Sequence, residues 1–243
     1  MTANLTYFLG LALCAIAGLQ ALVFLLRSTS GWFADRRAHA LRIELLNAEI
    51  DSVRSRHQTQ KQSTAGWVGF RKFRVDRKIT ECDGVHSFYL VPHDGKPLPS
   101  YAPGQYLTFQ FRIPGESKPV TRCYSLSDAP GRDYYRCTIK KVPPPPNHPD
   151  FDPGRASTFM NEQVREGDIL DVKAPRGNFF LDLDGDRPIV LLAGGVGITP
   201  MLSMLNALAL SGSSRRAILF YGVMNSMSHI ARQEIAALCL CEI

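Results

Sequence analysis

The sequence predicts a six-stranded antiparallel β barrel followed by an incomplete parallel α/β unit, with a transmembrane helix at the N-terminus. Three observations carry this. Leu5 to Leu26 is an apolar run broken only by Thr6 and Gln20, and about 20 apolar residues suffice to cross a bilayer core. From Gly66 to about Leu183, short runs rich in β-branched and aromatic residues alternate with Pro, Gly and Asp, the pattern of short strands and turns. From Ile189 an all-apolar run enters a glycine-rich turn, and a second apolar run follows at Ala217. The chain divides into an anchor (1–30), a juxtamembrane helix and linker (31–65), a barrel (66–184) and an α/β unit (185–243).

The anchor is read first. No Lys or Arg precedes the apolar run, which is long for a secretory signal; cleavage near Ala15-Ile16-Ala17 is the competing reading. Arg27, Arg36, Arg37 and Arg42 all follow the run, which places the C-terminal side in the cytoplasm as a single-pass membrane protein. Arg27 to Lys78 hold twelve Arg/Lys against five Asp/Glu, a local +7 within a total of +6, so the remainder is −1. The charge follows the apolar span instead of striping the folded region, which points to the anionic cytoplasmic leaflet and away from nucleic acid. Ile43, Leu46, Ile50 and Val53 recur at helical spacing and predict an amphipathic helix, packed on membrane, domain or a second copy. Ser55 to Ala65 is a polar linker. The six cysteines contain no C-x-x-C pair, so no metal site, no iron–sulfur cluster and a reducing compartment are expected.

Within the barrel, six runs are read as strands: FRKFRVDRKIT, VHSFYLVP, QYLTFQF, RCYSLS, YYRCTIKKV and DILDVKAP. On the fourth, alternation sends Arg122 and Tyr124 to one face and Cys123 and Ser125 to the other. A guanidinium can fork onto a phosphate and an aromatic ring can lie on a flat heterocycle. Gly154-Arg155-Ala156-Ser157-Thr158 precedes a plausible helix, whose free N–H groups make an anion site. The common meaning of such residues is a solvated barrel face and an N-cap, so neither motif decides alone. Pro143 to Pro146 form a stiff insert before it, a spacer or a partner's ligand.

In the α/β unit, Ile189 to Ala193 reads as a strand buried on both faces. Gly194, Gly195 and Gly197 let the backbone approach a phosphate, Thr199 can N-cap the next helix, and Pro200 suits its first turn. Met201, Leu202, Leu205, Leu208 and Ala209 give that helix a buried face. After the strand Ala217 to Tyr221, Gly222 to Asn225 stand where a ribose is read; an acid there favours NAD and an arginine NADP, neither is present, and the absence of a basic residue leans to NADH.

PGQYLTF (Pro103–Phe109), RCYSLSDAP (Arg122–Pro130), TIKK (Thr138–Lys141), GRAST (Gly154–Thr158) and APRGNF (Ala174–Phe179), followed by LLAGGVGITPMLSML, occur in this order. Together they resemble the ferredoxin–NADP reductase superfamily, above all the NADH-dependent reductases of bacterial oxygenase systems and the reductase part of flavohaemoglobins. The resemblance implies a flavin-binding barrel with FAD, and a nucleotide-binding unit for NAD(P)H. It implies that Arg122 binds the flavin pyrophosphate, Tyr124 packs on the flavin, and Ser125 hydrogen-bonds near the reactive N5 atom as the catalytic residue. It further implies that Gly154, Ser157 and Thr158 hold phosphate, and that Thr138, Ile139 and Lys140 line the cofactor; Lys140 reads equally as a solvent-facing lysine. Gly194, Gly195, Gly197, Thr199 and Pro200 match the dinucleotide turn.

His229 and Glu234 resemble the start of the following helix in relatives, and the likeness fades after Ala237. Relatives continue with further strands and a Cys-Gly-Pro segment beside the nicotinamide, so a truncated second unit is expected, with a short natural variant as the other possibility. The functional expectation is an oxidoreductase passing electrons from NAD(P)H through FAD to an unidentified acceptor, such as an iron–sulfur or haem protein. The alternative is a membrane-anchored flavin relay or inactive fragment without a complete nicotinamide site.

Overall fold

The computed structural model describes residues 66–240, together with Gln20, Arg42 and Ile43. Apart from those three residues, the expected span Leu5–Leu26 and the expected juxtamembrane helix and linker lie outside the described residues. Among the residues described, no helix is long and apolar enough to cross a membrane. Residues 66–240 fall within one compact unit, Arg56–Ile243.

Six strands form the antiparallel sheet: β1 (Arg71–Cys82), β2 (Val85–Pro92), β3 (Tyr106–Phe111), β4 (Val120–Ser125), β5 (Tyr135–Lys140) and β6 (Ile169–Arg176). Their order is β4-β3-β6-β1-β2-β5. The strands at the two ends meet where Leu126 bridges Cys137 and Ser127 N donates to Arg136 O at 2.8 Å. This contact closes the sheet into a barrel at one end of β4 and leaves the rest of that strand as a free edge. Period-two alternation explains the filling, since Leu107, Phe109 and Phe111 of β3 all point inward. They pack with Phe73, Phe88, Leu90, Tyr135 and Val172 in one apolar core, and Trp67 Nε1 donates to Val172 O at 3.0 Å beside it.

The expected helix after the proline insert is a single α turn, α1 (Arg155–Thr158), continued by a π turn over Phe159–Gln163. The wide closing bond from Val164 N to Phe159 O, 3.1 Å, ends it.

The second core is separate. β7 (Ile189–Gly194) runs parallel to β8 (Ala217–Gly222), in register from Ile189↔Ala217 to Gly194↔Gly222. Between them comes α2 (Ile198–Leu210), and α3 (Arg232–Leu240) follows β8. The expectation that β7 is buried on both faces is corrected: Leu191 is buried under the helices, while Val190 and Leu192 are 58% and 68% exposed and Phe220 is 59% exposed. Among the described residues helices cover one face only, so alternation shows through an all-apolar run. The halves meet closely at Gly104, whose φ is +108°. A Cβ there would lie 2.6 Å from Met204 Cε and 2.7 Å from Phe179 O, so only glycine fits both backbone and space.

Candidate active site

Two clefts adjoin at the junction of barrel and α/β unit. The first, of about 470 Å³, is lined by Arg122–Ser125 of β4, Thr138–Lys140 of β5, Gly154–Ser157, and Val196, Gly197, Thr199 and Pro200. The second, of about 740 Å³, is lined by the β1–β2 turn, Lys140 and Lys141, Gly195 and Val196, and residues 222–225, 227, 228 and 230 after β8. Lys140 and Val196 belong to both.

The first cleft exists because β4 leaves its free edge facing β5. Alternation alone put Arg122 and Tyr124 on one face and Cys123 and Ser125 on the other, but a groove along an edge collects all four. Arg122 is exposed and donates only to the neighbouring Thr121 carbonyl, at 2.8 Å, so its charge is available. Tyr124 packs edge-on to Phe109, with ring centroids 5.6 Å apart. Burial pushes its phenol up to about 12, the Arg122 charge opposing, so it stays a neutral O–H donor at ordinary pH. Ser125 is half-buried at the end of the strand.

Thr138 Oγ1 is buried and bonded to Ser87 Oγ at 2.7 Å and Ser127 Oγ at 2.9 Å, and the Ile139 side chain is in the barrel core. Ser157 Oγ donates to Gly154 O at 2.8 Å and accepts from Val142 N at 3.1 Å. It locks the turn before α1, and a Cβ on Gly154 would strike it at 2.9 Å. Thr158 Oγ1 is buried without a hydrogen-bond partner, and Lys140 is exposed.

The glycine turn has an open surface. A Cβ at Gly194, Gly195 or Gly197 would meet nothing within 4 Å, and Gly195 has φ +51°. The expected cap is corrected: Gly197 is the N-cap of α2 and no side chain caps it. Thr199 lies inside the helix and donates to Val196 O at 3.1 Å. A 3₁₀ turn over Gly195–Gly197 leads directly into α2, so the helix starts ahead of Thr199. The first N–H of the helix, that of Ile198, is taken up by Gly195 O and Val196 O of that turn.

Sequence reasoning missed Val196, the Asp83-Gly84 turn and Ser228 as lining residues. Asp-Gly is a readable hairpin turn, but nothing local indicates that β8 will end beside it.

These features define a two-part protein with one cleft along the open edge of a barrel and an adjoining cleft beside a glycine turn. The helix start without a side-chain cap, the open glycines and the exposed guanidinium fit FAD and a nicotinamide dinucleotide. Comparison with known proteins agrees. Residues 72–181 match the oxidoreductase FAD-binding domain, and residues 191–240 match the oxidoreductase NAD-binding domain. The chain is 41% identical to a flavohemoprotein of Bacillus cereus over 194 residues, covering 80% of this chain and 47% of that protein. It is 34% identical to the flavohem-like FAD/NAD-binding domain of a nitric oxide dioxygenase from Vibrio cholerae, with TM-score 0.66, covering 72% of this chain and 71% of that one. Phthalate dioxygenase reductase is 30% identical with TM-score 0.56, over 69% of this chain and 48% of that one. The chain belongs to the FAD- and NAD-binding oxidoreductases of the ferredoxin–NADP reductase superfamily. It spans about half the length of the curated flavohemoproteins it matches.

Proposed function

We propose that the protein takes electrons from NADH, holds them on FAD in the barrel cleft, and passes them to a haem or iron–sulfur acceptor. The observation that carries this is the sharing of Lys140 and Val196 by two adjoining clefts, which sets the two ligands side by side. When bound, FAD supplies the ability to accept a hydride and to release electrons singly or in pairs. The chain supplies binding and orientation. Arg122 offers a charged fork to the pyrophosphate, and Gly154 to Thr158 hold the phosphate end. Tyr124 offers an aromatic face and a neutral phenol, and Ser125 a hydroxyl at the reacting edge. The open glycines and the uncapped start of α2 receive the dinucleotide phosphates, while Lys140 places a positive charge between the clefts.

The acceptor class is supported by likeness to flavohemoproteins and to a reductase described as passing electrons from pyridine nucleotides to [2Fe-2S]. The apolar run 5–26 and the arginines after it support a single-pass anchor with the catalytic part cytoplasmic. The functional test is anaerobic addition of NADH to the purified yellow protein. Rapid bleaching of the flavin bands is the expected result. A flavin that can be photoreduced but ignores NADH would overturn the reading and favour the relay.

A further inference from the structure

The junction between barrel and α/β unit carries a crossed pair of carboxylate contacts on α3. Glu234, in the first turn of α3, receives Arg136 of β5 as a fork: Nη1 donates to Oε2 at 3.0 Å and Nη2 to Oε1 at 2.7 Å. Asn206 of α2 donates to the same Oε1 at 2.6 Å. In the opposite direction, Glu81 of β1 reaches the start of α3, where Ala231 N donates to Glu81 Oε2 at 3.3 Å. Ala231 has φ +52°, the left-handed region that a non-glycine residue adopts only when its surroundings hold it there.

The barrel side of both contacts is fixed. Arg136 is 6% exposed at its side chain; its Nε donates to Ser127 Oγ at 3.2 Å and lies 3.8 Å from Asp128, and its Nη2 also donates to Ser127 O. Burial works against the Arg136 charge, and the Glu234 hydrogen bonds and charge more than offset it, so its pKa is raised. Glu81 Oε1 accepts from Ser87 Oγ at 2.5 Å.

What α3 controls is the wall of the larger cleft. Ser228 and Ile230, just before α3, line that cleft. Ser228 N donates to Asn225 Oδ1 in the loop after β8 at 3.0 Å, and Ile230 N to Tyr221 Oη of β8 at 3.4 Å. Moving α3 outward moves this wall away from Lys140 and the β1–β2 turn.

We propose that Glu234 and Glu81 are positioning residues, which clamp α3 to the barrel and so set the width of the dinucleotide cleft and the approach of nicotinamide to flavin. The consequence for the reaction rests on the functional reading above; the clamp itself does not. Loss of the Glu234 charge removes the fork from the buried Arg136 and leaves it only the longer carboxylate contact, to Asp128, and a small displacement is enough to slow hydride transfer.

The test compares the full chain with Glu234→Gln and, as a second variant at a less central contact, Glu81→Gln. Hydrogen exchange of the amides Arg232–Leu240 should quicken at least about tenfold in Glu234→Gln, with the barrel amides unchanged as the internal reference. The NADH concentration giving half-maximal flavin bleaching should rise at least about tenfold, while photoreduction of the same flavin stays at the parent rate. Glu81→Gln should shift both readouts in the same direction by less. Unchanged α3 exchange in both variants would overturn the clamp. Faster exchange with unchanged half-saturation would overturn the positioning role. A parent protein that NADH does not bleach would overturn the functional reading, with the exchange comparison still deciding the clamp.

Discussion

Gly104→Ala tests the docking of the two halves most sharply. The glycine has φ +108°, and an alanine held in an unfavourable positive-φ conformation costs roughly 1 to 2 kcal/mol. The added Cβ would stand 2.6 Å from Met204 Cε, 2.7 Å from Phe179 O and 3.0 Å from Phe180 Cα. Met204 Cε is the far end of a flexible side chain and can move. The Phe179 and Phe180 atoms are backbone and move only with their segment, an overpacking cost of about 1 to 3 kcal/mol. The sum, roughly 2 to 5 kcal/mol, is a large part of the 5 to 15 kcal/mol typical of a folded domain. Because Met204 lies on α2, which begins at the glycine turn, the strain also shifts the dinucleotide site. A displacement of about 1 Å there lowers the rate of flavin reduction by roughly 100-fold. Urea unfolding followed by tryptophan fluorescence measures the first effect and stopped-flow bleaching by NADH the second. A midpoint within error of the parent, together with an unchanged bleaching rate, would refute the argument that this glycine is required by close approach.

Other expected outcomes follow from single residues. Arg122→Ala loses a charge-assisted contact worth roughly 1.5 to 3 kcal/mol, so flavin should be lost on dialysis and its dissociation constant should rise more than about tenfold; retention equal to the parent would show that Arg122 is not a phosphate ligand. Burial raises the Tyr124 phenol from 10.0 to about 12. Its contribution is therefore fully present below pH 10 and is lost as pH rises from 10 to 12; the urea midpoint of the apoprotein should fall over that window, and fall less in Tyr124→Phe. Phe220→Lys on the bare face of β8 should reduce self-association seen by sedimentation at high concentration without loss of flavin. Deletion of residues 1–30 should release a yellow protein from washed membranes, and a deleted form that still pellets with them would count against the anchor.

The sequence by itself determined what depends on local pattern. The runs rich in β-branched and aromatic residues become β1 to β6 to within about two residues at each end, because such runs bounded by Pro, Gly and Asp favour strands. The glycine turn before α2 was legible as a turn because its conformation is in its own backbone. RCYS and GRAST were legible as groups because the groove is lined by consecutive residues of one edge and one turn. Tertiary structure alone decided the rest. That all four residues from Arg122 to Ser125 line one cleft depends on β4 being the free edge of the sheet, which follows from strand order. That Ser157 locks a turn depends on Val142 arriving opposite it. That Gly197, not Thr199, caps α2 depends on how tightly the turn winds. That Arg136 meets Glu234 across 98 residues of chain depends on two separately patterned halves docking. Periodicity records which face of a segment is buried, and it carries no record of which distant segment buries it.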